Sequence, residues 1–60
     1  MLIKVFEVYS EGGSNCVAFL TREEAEGQTL IQPSQGPYFA MVDMSEEEIK
    51  KLKTDRYLWI

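Results

Sequence analysis

Three adjacent carboxylates, Glu46, Glu47 and Glu48, are the residues of this chain that most resemble chemistry. A second group, Glu23, Glu24 and Glu26, lies earlier. Carboxylates in such density could hold a divalent cation or act as a general acid and base. The spacing argues otherwise. On a helix, consecutive side chains point about 100° apart, so Glu46, Glu47 and Glu48 do not converge on one ion, and in the second group Glu24 points away from Glu23 and Glu26, so three ligands do not converge there either. Without a histidine in the chain, an oxygen-only site would take magnesium or calcium, and only if the two groups met in space.

The same absence of histidine removes the Ser-His and Cys-His nucleophile pairs. Cys16 is the single cysteine. It cannot form a disulfide within the chain, and it stands in the apolar run "CVAFL", where a thiol is buried and inert. The stretch "GGSN" (residues 12–15) lacks the Lys-Ser or Lys-Thr that follows a phosphate-binding glycine loop. No metal, cofactor or catalytic residue is therefore expected, and the chain reads as a non-enzyme.

The glutamates have a simpler use as helix starts. In "SEEEIKK" Ser45 is an N-cap and Glu48 stands at N3, the two halves of a capping box, with Met44 and Ile49 in the flanking staple positions. Glu46 and Glu47 complement the helix dipole and lie four residues before Lys50 and Lys51. "TREEAE" repeats this arrangement: Thr21 caps, Glu24 reaches back, and Leu20 and Ala25 flank. The expected helices run from Thr21 to a stop at Gly27, and from Glu46 to about Thr54 with Ile49 and Leu52 facing inward.

Strands are expected between and before these helices. "LIKVFEVY" (residues 2–9) is rich in β-branched and aromatic residues. Leu2, Phe6 and Val8 share one face with Lys4, and Ile3, Val5 and Tyr9 share the other with Glu7. Two mostly apolar faces predict a central or covered strand. The turn cluster of residues 10–15 and the run at 16–20 complete a β-hairpin. Residues 28–37, with Pro33, Gly36 and Pro37, read as an irregular connection in which Leu30 and Ile31 anchor under the sheet. "YFAMVDM" (residues 38–44) is the third strand, and "RYLWI" (residues 56–60) is a candidate fourth, with Tyr57 and Trp59 on one face. The fold expected is α+β: a small antiparallel sheet of three to four strands with two short helices on one face, in the order β-β-α-β-α(-β).

Sixty residues make one domain, residues 1–60, and so short a chain buries only roughly 60 % of its unfolded surface. With no disulfide and no zinc site, packing or association must supply the rest, which favours a homodimer or a larger protein partner. Charge narrows the partner. Residues 1–48 carry nine acidic and two basic side chains, whereas residues 49–60 carry four basic and one acidic. An acidic body disfavours direct nucleic-acid binding. Apolar runs are too short to span a bilayer, and the start lacks a secretory signal, so a reducing cytoplasm, bacterial or that of an infected host, is expected.

Aromatic and apolar side chains are the remaining candidates. Tyr and Trp dominate interface hot spots. The expected partner-binding residues are Tyr38, Arg56, Tyr57, Leu58, Trp59 and Ile60. The reading is a non-catalytic protein-binding module; a structural accessory subunit and an acidic decoy of nucleic acid are the alternatives.

Strand, glycine loop, strand, "FLTREEAE", loop, strand and "MSEEEIKKL" together resemble small accessory proteins of phages and other mobile elements. The likeness covers residues 5–53 and rests on helix-start and strand signals. It leaves out "RYLWI" and carries over no site residue. It implies a protein that binds and inhibits or modulates a host protein, including components of defence systems.

Overall fold

The computed structural model describes residues 1–27 and 33–60. Strand β1 spans Leu2–Tyr9 and β2 spans Cys16–Phe19. Helix α1 follows at Arg22–Glu26, then a single 3-10 turn at Pro33–Gln35. Strand β3 is Tyr38–Asp43, helix α2 is Glu46–Asp55, and β4 is Leu58–Trp59. All pairings are antiparallel, in the order β3-β1-β2-β4. The α+β fold and element order expected from the residues are found, including the short fourth strand. The Leu30 and Ile31 anchors lie outside the described residues.

Register explains why β1 is apolar on both sides. Val5 and Val8 are both buried, yet they are three residues apart and so face opposite ways. Val5 packs with Ala18, Met44 and Leu52, joined by Ile3, Leu20, Ala40, Val42, Ile49 and Leu58. Val8 packs with Val17, Phe19 and Ala25, joined by Phe6. The first cluster contains α2 residues and the second an α1 residue. The two helices therefore cover opposite faces of the sheet, not one face as expected. Every residue of β2 is buried, because that strand lies inside the sheet and under both helices.

The chain changes sides at Leu20–Thr21. Leu20 joins the α2-face cluster, while Ala25, five residues on, joins the α1-face cluster. The staple expected between them is thus split across the sheet. Met44 and Ile49, by contrast, sit in one cluster, and their staple holds.

Helix α1 has only five residues and packs on β1 and β2, and α2 leans toward β4. Strand β3 has no fully buried residue along its length. It is the long edge of the sheet; β4 is the short one.

Candidate protein-interaction surfaces

The C-terminal candidates are held by four structural features. Arg56 ends α2 in the left-handed conformation, φ 74°, and its backbone N–H bonds the Leu52 carbonyl. Its side-chain Nε donates to Glu24 Oε2 at 2.7 Å. Leu58 points into the α2-face cluster. The Ile60 N–H donates to the Cys16 carbonyl at 3.0 Å, extending the pairing of β4 with β2. The end of the chain is therefore docked as a strand. What it presents outward is Tyr57, Trp59 and Ile60, with Trp59 59 % exposed opposite Val17.

Tyr38 does not join them. It begins β3, and the strand order puts it on the opposite edge, three strand spacings or about 14 Å away. Its ring stacks edge-on against Tyr9 at 5.8 Å, and its hydroxyl donates to the Ser34 carbonyl at 2.7 Å. The six expected partner-binding residues thus divide between two edges, and Leu58 belongs to the core.

A second surface, which the sequence reading missed, surrounds Tyr38's own strand. Phe39 and Met41 project from the α1 face of β3 at 58 % and 53 % exposure, beside Leu2 at 65 %. Phe39 lies opposite Phe6, ring to ring at 6.2 Å and nearly perpendicular. Arg22 covers Phe6 from above, 5.3 Å from its centroid, so the α1 end of the patch has a cationic rim. The alternation of "YFAMVD" already separated Phe39 and Met41 from Ala40 and Val42. It did not reveal that α1 would be too short to reach them.

The carboxylates sort as helix chemistry. Ser45 Oγ accepts from the Glu48 N–H at 3.2 Å, and Glu48 Oε1 accepts from the Ser45 N–H at 3.0 Å. At α1 the box is half built. Thr21 Oγ1 accepts from the Glu24 N–H at 3.1 Å, but the Glu24 carboxylate turns to the Thr21 hydroxyl and to Arg56. Among the described residues, no three His, Cys, Asp or Glu side chains are grouped to hold a metal ion.

Set beside known proteins, the chain matches no family model, no curated protein and no solved structure.

One titratable cluster remains, on the α2 face at the hairpin end. Tyr9 donates to Glu7 Oε1 at 3.4 Å, and the Cys16 thiol approaches Glu7 Oε2 at 3.7 Å. Burial, and then the Glu7 charge, push the thiol's pKa up. The Glu7 charge, and then burial, raise that of the Tyr9 phenol. Both groups are held in their protonated forms, the reverse of what an activated nucleophile requires. Among the described residues, no helix is long and apolar enough to cross a membrane.

Proposed function

We propose that this chain is a non-catalytic protein-binding module whose partner seats on the β4 edge, at Tyr57, Trp59 and Ile60. The observation that carries this reading is Trp59, a large aromatic side chain left in solvent on a strand pinned by Leu58 beneath it. An exposed Trp on a docked strand has only two side-chain torsions to fix on binding and offers a large area for burial. The resemblance of residues 5–53 to phage accessory proteins supports a host protein as the partner, inhibited or modulated in the cytoplasm.

The test is affinity capture from the native host with the wild-type chain beside Trp59→Ser and Tyr57→Ser. Point substitutions are preferable to truncation, since removing the strand would take Leu58 from the core. A stoichiometric partner retained by the wild type and lost with Trp59→Ser is expected. Equal capture by all three chains would overturn the assignment of the β4 edge.

A structural subunit of a larger assembly is the second reading. Apolar side chains on both edges of the sheet favour it, because a bridging subunit needs two contacts. A free chain that aggregates or unfolds when purified alone, and recovers only with its neighbours, would support this second reading over the first.

A further inference from the structure

We infer that the β3 edge pairs with the β3 edge of a second copy, antiparallel, about a two-fold axis at Ala40. This goes beyond the partner site above, which uses the opposite edge.

The argument begins with how the edges are protected. Exposed edge strands are ordinarily kept from pairing by charges, by brevity or by a covering element. Strand β4 is only two residues long. Strand β3 has six, and from Tyr38 to Val42 none is charged. Neither helix packs chiefly against it. Among the described residues no further strand pairs with its outer side, so its outer N–H and C=O groups form a template for another strand, beside an apolar patch on the same edge.

The strand's own residues select a second copy and its register. In an antiparallel pair, residues directly opposite each other share a face. Centring the pair on Ala40 sets Phe39 against Met41 of the other copy, twice, and Tyr38 against Val42, twice. The only residue meeting itself is the small Ala40. All five pairs from Tyr38 to Val42 are then apolar. Moving the axis to Met41 sets two Met side chains together and puts Phe39 opposite the other copy's Asp43. The pattern large, large, small, large, large is symmetric about Ala40, as a self-complementary interface requires.

Charge and area agree with a modest dimer. Each copy has net charge −4, but in this register the two Asp43 carboxylates lie at opposite ends of the strand pair, about 20 Å apart. Tyr38, Phe39 and Met41 leave on the order of 300 Å² of side chain uncovered per copy. With the strand edges, the pair buries on the order of 800–1,000 Å² in total, below the area of stable interfaces and in the range of weak, transient ones. The dimer is therefore concentration-dependent and, because like net charges are screened, favoured by salt. It joins two sheets into one of eight strands, with the two β4 edges seven strand spacings, about 34 Å, apart and free to engage a bivalent target.

Analytical ultracentrifugation of the full chain from about 10 µM to about 1 mM tests this, since weak apolar interfaces populate dimers in that range. The expected result is a monomer–dimer equilibrium that strengthens with added sodium chloride. Met41→Lys, at an exposed position, should keep the native circular dichroism and weaken the dimer by at least about tenfold. Trp59→Ser should leave it unchanged. Register is read separately by oxidation: Ala40→Cys should crosslink to its own counterpart faster than Met41→Cys does. A folded wild type that stays monomeric throughout would overturn the proposal. So would a dimer lost with Trp59→Ser and not with Met41→Lys, faster crosslinking at 41 than at 40, or growth beyond the dimer. None of these results bears on capture of a host protein by the β4 edge.

Discussion

The guanidinium of Arg56 and the carboxylate of Glu24, 32 positions apart in the chain, meet through an Nε–Oε2 hydrogen bond of 2.7 Å. Arg56 follows α2, on one face of the sheet, and Glu24 belongs to α1, on the other. The pair thus ties the two sides together around the β4 edge. It holds the Glu24 carboxyl below its ordinary value of 4.5, chiefly through the Arg56 hydrogen bond, opposed by desolvation and aided by the Thr21 hydroxyl. A depressed carboxyl adds stability that is fully present above its unfolded pKa. That stability is lost as pH falls through the folded value. Glu24→Gln should therefore unfold more easily than the wild type at neutral pH, with the two chains converging in acid. Urea titrations from about pH 7 to about pH 3 measure it; a difference that grows toward acid would contradict the assignment.

Gly36 and Gly13 should respond differently to alanine. Both have positive φ, 131° and 73°. A Cβ at Gly36 would stand 2.6 Å from the Glu7 carbonyl oxygen, whereas nothing lies within 4 Å of one at Gly13. Gly13→Ala should cost about 1 kcal/mol, the ordinary left-handed penalty. Gly36→Ala should cost about 2–4 kcal/mol, since strain and a backbone clash combine. Thermal unfolding of the two variants gives the comparison directly.

Cys16 should resist modification. The thiol is buried and its pKa is raised, first by burial and then by Glu7. Labelling with a thiol reagent near pH 8 should be slow in the native chain and fast in denaturant, because only the thiolate reacts. Native labelling as fast as that of a free cysteine would mean that the hairpin end opens readily.

Leu52 is fully buried at the centre of the α2-face cluster. Leu52→Ala should cost about 2–5 kcal/mol. A 60-residue domain has roughly 3–9 kcal/mol in total, so this variant should lose a large share of its stability and melt at a clearly lower temperature by circular dichroism. Lys51→Ala, one residue away on the exposed side, should leave the fold intact.

The "SEEE" stretch should behave as a helix start and nothing more. Ser45→Ala should cost about 1 kcal/mol, because both halves of its capping box are formed. Glu46→Gln and Glu47→Gln should change stability little. Calorimetry with magnesium, manganese or calcium should give flat titrations for the wild type; saturable binding abolished by Glu47→Gln would overturn the capping interpretation.

Part of the molecule was readable from residue type and order. The hairpin, the third strand, the Ser45–Glu48 box and the short last strand are all local features. Turn glycines, two-residue alternation and cap spacing act over a few positions, so a few positions reveal them. Alternation in β1 also showed that both faces needed cover. What alternation does not contain is identity across the sheet: which helix covers which face, which strand is left at the edge, and which residue Glu24 turns to.

The expected surface shows this limit most clearly. Residue type groups Tyr38 with Trp59 as aromatic interface candidates, and residue type supports no more than that. Only the order β3-β1-β2-β4 separates them onto opposite edges, and only the five-residue length of α1 leaves Phe39 and Met41 uncovered. By itself the sequence determined the elements, because their signals lie within a turn or a strand. The tertiary structure alone decided the surfaces, because exposure depends on what distant segments fail to cover.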